Sequence, residues 1–110
     1  MPVGTIYVSG KMRGVPKFNF PAFIAAATSL RSKGWTVISP AEHDLAEGFD
    51  PAKGDTADFY RDALRWDFRQ IIEHCDALYM LRGWETSEGA RAEWTVASAL
   101  GLALYYQSRK

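Results

Sequence analysis

Asp76-Ala77-Leu78-Tyr79-Met80-Leu81, residues 76–81 of the 110-residue chain, is the stretch that decides the fold. The run is apolar at consecutive positions rather than at alternate ones, which is typical of a parallel strand covered on both faces. Three further runs have the same character, at residues 5–8, 35–38 and 102–106. The sequence therefore predicts four short strands that are buried in one sheet.

Patterns with helical spacing separate these four runs. They predict helices at residues 21–34, about 57–74 and about 88–100. Pro21 suits the first turn of a helix, and Gly34 suits the residue that follows its end. Asp55 or Thr56 is the expected N-cap of the second helix.

Strand and helix alternate along the chain, so right-handed crossovers join consecutive strands in a parallel sheet. We predict an α/β fold of the Rossmann or flavodoxin type, with an open, doubly wound sheet in the order 2-1-3-4 and three main helices. The length fits one domain, residues 1–110. Three loops, at residues 9–20, 39–56 and 82–87, follow the carboxyl ends of strands, where such sheets bind ligands.

The charge balance limits the class of ligand. Thirteen basic residues offset thirteen acidic ones, and the formal net charge of zero argues against a domain that grips long nucleic acid. A small phosphorylated molecule remains compatible with one local cluster of donors. The absence of a signal-peptide pattern and of an apolar run near 20 residues indicates a cytoplasmic protein without membrane contact.

The residues that bind metals in other proteins form no motif here. The single cysteine, Cys75, allows neither an intrachain disulfide nor a zinc site built from cysteine pairs. His43 and His74 do not have the spacing of a ligand pair. We therefore expect no metal and no cofactor.

The third predicted helix carries a carboxylate within its apolar face. At about 100° per residue, Glu93 falls inside the face defined by Gly89, Ala92, Val96 and Leu100. A glutamate near a helix start can simply be favoured by the helix dipole. Its position among apolar residues favours a functional role.

A second carboxylate lies beside the apolar stripe of the second predicted helix. The stripe consists of Tyr60, Leu64, Phe68, Ile71, Ile72 and Cys75. Asp67 lies about 75° from its centre, and Arg61 lies on the opposite border. A functional role and a solvated edge are equally compatible with Asp67, whereas Arg61 is interpreted as an edge residue.

Two of the three loops contain groups that suit an anion. In the loop that begins at Ser9, Gly10 lets the backbone approach a ligand and Arg13 adds a positive charge, although an ordinary turn explains the same residues. The spacing matches neither a dinucleotide fingerprint nor a P-loop. Ser87 and Gly89 stand at a helix start, where a hydroxyl can bind phosphate but more often caps the helix.

These motifs together resemble a known family. The resemblance is carried by residues 7–14, 18–23, 65–67 and 75–93 and extends over nearly the whole chain. The chain resembles a family of short phage and bacterial proteins of unassigned function, which is similar to a compact branch of the nucleoside 2-deoxyribosyltransferase superfamily. That superfamily also includes the deoxynucleoside 5′-monophosphate N-glycosidases.

The resemblance implies roles for individual residues. Glu93 matches the nucleophile, Asp67 matches the aspartate that assists the leaving base, and Tyr7 matches an aromatic residue near the sugar. Ser87 stands where the monophosphate glycosidases carry a phosphate-binding serine, which implies a phosphorylated substrate. The implied substrate contacts are Ser9, Gly10, Met12, Arg13, Asn19, Ser87 and Gly89.

The sequence thus predicts an enzyme that cleaves or transfers at the N-glycosidic bond of a nucleoside, deoxynucleoside or nucleoside 5′-monophosphate. One alternative is a nucleotide-binding sensor without turnover. Another is an interaction module in which Trp66, Trp84 and Trp94 contact a partner. Because so small a domain offers only a shallow crevice and surface aromatic residues, we expect a homodimer or larger homo-oligomer.

Overall fold

The computed structural model describes residues 3–52 and 57–108, and within them strands and helices alternate as predicted. The strands are β1 (Gly4–Ser9), β2 (Trp35–Ile38), β3 (Ala77–Met80) and β4 (Ala103–Tyr106). The α-helices are α1 (Phe20–Ser32), α2 (Pro40–Ala46), α3 (Ala57–His74) and α4 (Glu88–Ala99). Asp55 and Thr56, the predicted N-cap residues of α3, lie outside the described residues.

The four strands form one parallel sheet in the order β2-β1-β3-β4, so the predicted doubly wound topology is confirmed. Tyr7 of β1 pairs with Ile38 of β2 and Leu78 of β3. At the end of β1, Ser9 pairs with Met80. β1 is therefore an interior strand, and its last residues reach the edge of the sheet where the loops begin.

Alternate residues of β1 enter two separate cores, because successive side chains of a strand point to opposite faces. Ile6 and Val8 pack on the face covered by α1. Tyr7 packs on the other face, with buried residues of α3 and α4 such as Ile71 and Ala97. Polar side chains at the odd positions of β1 are consequently directed towards α3 and α4.

α2 occupies part of residues 39–56, for which the sequence predicts a loop. The helix begins with Pro40, a residue favoured in the first turn. Its seven residues make only about two turns, too few for an apolar period to be visible. Packing holds it in place, since Ala41 is buried and Arg31 of α1 donates hydrogen bonds of 2.6 and 2.7 Å to Glu42.

Three large apolar residues on or beside the helices are exposed, and the sequence predicts two of them, Ile72 and Leu100, on apolar helix faces. They are Ile24, Ile72 and Leu100, with 40%, 56% and 48% of their surface accessible. In α4 the buried residues are Ala90, Glu93 and Ala97. Small alanines bring α4 close to the sheet, and Leu100 lies just beyond the helix end, where no element covers it.

β4 also departs from the expected pattern of a strand covered on both faces. It lies at the edge of the sheet, and Ala103, Tyr105 and Tyr106 are exposed. An edge strand has only one neighbour, so its side chains receive less cover from the helices.

Within the described part of the chain, no helix combines the length and apolarity needed to cross a membrane.

Candidate active site

A cavity of about 360 Å³ lies beyond the carboxyl ends of β1, β2 and β3. Its walls are the loop after β1, α2, the first half of α3 and the N-terminal turns of α4. The crossover through α1, from β1 to β2, and the crossover through α3, from β2 to β3, lie on opposite faces of the sheet. In doubly wound folds this opens a crevice at the end of β1. The volume is within the range of small-molecule sites, about 300–1,000 Å³.

Glu93 lines this cavity although only 5% of its surface is accessible. Ser9 donates a hydrogen bond of 2.6 Å from Oγ to Glu93 Oε1, and Tyr7 donates one of 3.1 Å from Oη to Oε2. Both donors lie on the face of β1 that α4 covers. The carboxylate is therefore fixed by the strand at one end of the cavity.

Asp67 lies in the same cavity and is 8% accessible. Its side chain is hydrogen-bonded to Tyr7 and to Glu93. The sequence placed Asp67 on the border of the apolar stripe of α3, whereas the structure places it on the buried side. The two predicted carboxylates therefore lie together in one cavity.

The two carboxyl groups share one proton, because charging both in a buried, hydrogen-bonded pair is costly. Burial raises the pKa of Asp67 well above its ordinary value, and the charge of Glu93 raises it further. Burial also raises the pKa of Glu93, but the hydrogen bonds that it accepts oppose this shift. The two shifts therefore favour Asp67 as the group that carries the proton and Glu93 as the ionised group.

Tyr7 supports this arrangement as a neutral donor. Its side chain is fully buried, and burial raises the pKa of its hydroxyl well above 10.0. The neighbouring charges of Asp67 and Glu93 act in the same direction. The phenol accordingly keeps its proton and continues to donate to the carboxylate.

The N-terminus of α4 forms the wall next to Glu93. Ser87 is its N-cap, and Ser87 Oγ accepts a hydrogen bond of 3.1 Å from the backbone N–H of Ala90. The hydroxyl proton of Ser87 is a separate donor, so capping does not prevent contact with an anion in the cavity. Ser87 and Gly89 both line the cavity, as predicted for substrate contacts.

Gly89 keeps this part of the cavity open. A Cβ atom at position 89 would lie 3.3 Å from the hydroxyl oxygen of Tyr60 on α3. Tyr60, which the sequence assigned only to an apolar stripe, also lines the cavity. The glycine therefore lets α3 and α4 approach each other beside the first turn of α4.

The loop after β1 forms the opposite wall through Gly10, Lys11, Met12 and Arg13. A Cβ atom at Gly10 would lie 2.9 Å from Leu81, so only glycine fits where the loop crosses the end of β3. The guanidinium carbon of Arg13 lies 3.9 Å from the centre of the Tyr60 ring. Arg13 thus reaches from the loop to α3 and places its guanidinium group at the cavity wall.

Two of the predicted substrate contacts, Ser9 and Asn19, do not line the cavity. Ser9 is fully buried and donates its hydroxyl to Glu93, whereas Asn19 bonds to the loop after β1. Its Nδ2 donates a hydrogen bond of 2.9 Å to the backbone oxygen of Lys11. Asn19 follows Lys17 and Phe18, and all three have positive φ values, between 53 and 60°. Consecutive left-handed residues other than glycine are strained, and such strain is found at functional sites.

This left-handed segment places Phe18 in an aromatic group that sequence reasoning missed. The ring of Phe18 lies 5.2 Å from that of Phe49, which in turn stacks on Phe59 at 4.5 Å. Phe18 and Phe59 line the cavity. Aromatic rings and carboxyl groups therefore both contribute to the wall of the cavity.

Asp44 of α2 is a third cavity carboxylate, and sequence reasoning missed it as well. Only 7% of its surface is accessible. It lies three positions after the buried Ala41, so a helical interpretation of residues 40–46 would have placed it on the covered face. The apolar pattern of so short a helix gave no such indication.

Other residues singled out from the sequence lie outside the cavity. Arg61 is exposed, and its Nη1 lies 3.8 Å from Asp58 Oδ1, as expected for a solvated helix edge. Burial raises the pKa of the Cys75 thiol to about 12, which makes the thiol a poor nucleophile. Within residues 3–52 and 57–108, no group of three or more His, Cys, Asp or Glu side chains is arranged to hold a metal ion.

The three tryptophans considered as partner contacts are half-buried and packed within the chain. Trp84 stacks on Trp94 at 5.9 Å, and Trp94 Nε1 donates a hydrogen bond of 2.9 Å to Tyr106 Oη. Trp66 stacks on the ring of His43 at 3.7 Å, which joins α3 to α2. Each tryptophan therefore has a structural role.

Comparison with known proteins gives one assignment. No curated protein matches the chain at a significant level. The family model described as a domain of unknown function (DUF4406) matches residues 4–106. The match contains every strand and helix described above, and with them Tyr7, Asp67 and Glu93. The chain belongs to the DUF4406 family.

Proposed function

We propose that the protein cleaves or transfers at the N-glycosidic bond of a nucleoside, a deoxynucleoside or a nucleoside 5′-monophosphate. The observation that carries the proposal is the buried pair of carboxyl groups, Asp67 and Glu93, in one cavity. Burial and the neighbouring charge of Glu93 favour the proton on Asp67. Cleavage of a glycosidic bond requires such a pair, a general acid that protonates the leaving group and a carboxylate that stabilises or attacks the anomeric carbon. No cofactor takes part.

In the proposed reaction, Glu93 lies beneath the anomeric carbon of the sugar. As the bond from C1′ to the base nitrogen breaks, its electron pair leaves with the base, and Asp67 donates the proton that neutralises the base. Glu93 either stabilises the oxocarbenium-like charge or bonds to C1′. Water or a second base then attacks C1′ and, where Glu93 has bonded to it, displaces the Glu93 carboxylate. The proton released by this acceptor restores Asp67.

Two properties of the cavity favour a nucleotide over other glycosides. The aromatic rings of Phe18 and Phe59 in its wall suit a flat base. The N-terminus of α4 with Ser87, which also lines the cavity, suits a phosphate group. The resemblance to the nucleoside 2-deoxyribosyltransferase superfamily supports the same assignment, and a cytoplasmic location is part of the proposal.

The test is incubation of the purified protein with a panel of nucleosides and nucleoside 5′-monophosphates, followed by chromatography for free base. Release of base from at least one compound supports the proposal, provided that Glu93→Gln protein prepared in parallel releases none. Adding a second free base distinguishes a transferase, which forms a new nucleoside, from a hydrolase. Tight binding without release would instead favour a nucleotide sensor and contradict the proposal.

A further inference from the structure

Ser9, the last residue of β1, is fixed by the sheet and closed off from solvent. It pairs with Met80 of β3, and its backbone oxygen accepts a hydrogen bond of 2.8 Å from the N–H of Leu81. None of its surface is accessible, and it is not one of the residues that line the cavity. A ligand in the cavity therefore meets Glu93 and not Ser9, although the resemblance implied that Ser9 contacts the substrate.

Glu93 accepts hydrogen bonds from two hydroxyl groups of β1, and these bonds differ in length. The bond from Ser9 Oγ to Oε1 is 2.6 Å, and the bond from Tyr7 Oη to Oε2 is 3.1 Å. A length of about 2.5–2.7 Å is typical of a hydroxyl that donates to an ionised carboxylate. The bond from Ser9 is therefore the one that depends more strongly on the charge of Glu93.

The two hydroxyl groups also differ in the carboxyl groups that they serve. Tyr7 is hydrogen-bonded to both Asp67 and Glu93, so it does little to distinguish the two. Ser9 has a single proton to donate, and it donates this proton to Glu93. The bond from Ser9 opposes the rise that burial causes in the pKa of Glu93. Ser9 thus favours the charged form of Glu93 over that of Asp67.

We propose that Ser9 is a positioning residue whose hydroxyl orients the Glu93 carboxylate and keeps it charged, so that the shared proton stays on Asp67. The inference rests on the proposed function, since it takes Glu93 as the group that acts on C1′. Ser9 acts on the substrate only through Glu93. A supporting residue of this kind holds a functional side chain in its productive geometry.

The first test needs no substrate. The side-chain carboxyl signals of Glu93 and Asp67 are followed by NMR as the pH is lowered, and Glu93→Gln and Asp67→Asn proteins assign the two signals. In Ser9→Ala protein, the pH at which Glu93 takes up half a proton should rise by about 1–2 pH units, the equivalent of one lost hydrogen bond to a charged group. The other charged or ionisable side chains that line the cavity are unchanged between the two proteins: Lys11, Arg13, Asp44, Tyr60 and Glu88.

Ser39→Ala is the matched control. Ser39 directly follows β2, the neighbour of β1 in the sheet, and only 4% of its surface is accessible. Within residues 3–52 and 57–108, its hydroxyl has no hydrogen-bond partner. The control therefore removes a buried hydroxyl that is not bonded to Glu93, and the titration of Glu93 should stay as in the wild type. Melting temperatures establish that each variant is folded.

The second test measures base release on the best substrate of the panel. Ser9→Ala should lower kcat about 10- to 100-fold and leave KM nearly unchanged, because the orientation of the reacting group is lost and the substrate contacts are kept. The fall of kcat towards acid pH should begin at a higher pH than in the wild type. Ser9→Cys, whose thiol is a weaker donor, should lie between Ser9→Ala and the wild type.

The outcomes separate this inference from the proposed function. An unchanged titration of Glu93 in folded Ser9→Ala protein would overturn the inference, and so would a raised KM with an unchanged kcat, which indicates a direct substrate contact. Both leave the proposed function in place, since base release by the wild type tests it separately. A raised titration of Glu93 in a protein whose wild type releases no base would support the effect of Ser9 on Glu93 and overturn the proposed function.

Discussion

The residues of the site differ in how visible they are in the sequence. Glu93 could be predicted because a charge stands out on the apolar face of a long helix. Asp67 was ambiguous, since the helical period places it at the border of the apolar stripe and does not show what packs against that border. Asp44 could not be found by period alone because α2 is only seven residues long.

Asp67 gives a pH dependence of stability whose sign follows from its raised pKa. Between the ordinary carboxyl pKa, about 4, and the raised value, the folded protein binds more protons than the unfolded one. The stabilisation is complete below the ordinary pKa and is lost as pH rises through the raised one. Urea unfolding at a series of pH values should therefore show this loss in the wild type.

Asp67→Asn should flatten that profile, by at most about 1.4 kcal/mol per pH unit for one proton. Asp62→Asn is the matched control on α3, because Asp62 is exposed and its loss removes only a surface pair with Arg65. A wild-type profile identical to that of Asp67→Asn would show that Asp67 titrates normally.

Variants of Ser87 distinguish a role in helix capping from a role in phosphate binding. Ser87→Ala should weaken monophosphates more than nucleosides, by roughly 1.5–3 kcal/mol for a hydrogen bond to a charged group. Loss of the cap should also lower the unfolding free energy by about 0.5–2 kcal/mol. Calorimetric binding and urea unfolding measure the two effects.

Ser87→Asp is the useful comparison, since it retains a capping oxygen but adds a negative charge. We expect this variant to keep the stability of α4 and to bind monophosphates more weakly than Ser87→Ala does. If Ser87→Ala weakens both ligand classes equally, the serine acts only as a cap.

At the scale of elements, strand positions and the order of the sheet followed from the sequence, because buried parallel strands appear as continuous apolar runs. The left-handed segment at Lys17, Phe18 and Asn19 had no such signal. None of these residues is glycine, so the conformation of the segment depends on contacts with residues distant in sequence. The aromatic part of the cavity wall, to which Phe18 belongs, could not be predicted for the same reason.

Asn19 tests how this segment is held. Asn19→Ala loses the hydrogen bond to the Lys11 oxygen and forces alanine into a left-handed conformation. Asn19→Gly also loses the hydrogen bond, but glycine adopts the left-handed conformation without strain. Urea unfolding should therefore find Asn19→Ala less stable than Asn19→Gly by about 1–2 kcal/mol. Equal stabilities would show that left-handed strain at this position does not matter.

At the scale of the whole molecule, assembly remains a prediction. Several large apolar side chains are exposed, among them Leu100, Tyr105 and Tyr106 at and beside the edge strand β4. Exposed apolar groups of this kind favour self-association. Light scattering at high micromolar concentration should give the mass of a dimer or larger oligomer, and a monomer mass would contradict the prediction.

The central claim is that the buried Glu93 is a catalytic carboxylate and not merely a structural one. Glu93→Gln keeps the shape of the side chain and removes its negative charge. The most direct measurement is the rate of base release by this variant on the best substrate of the panel, beside its thermal melt. We expect a folded protein that binds nucleotide and releases no base. Turnover near the wild-type rate would contradict a catalytic role of Glu93.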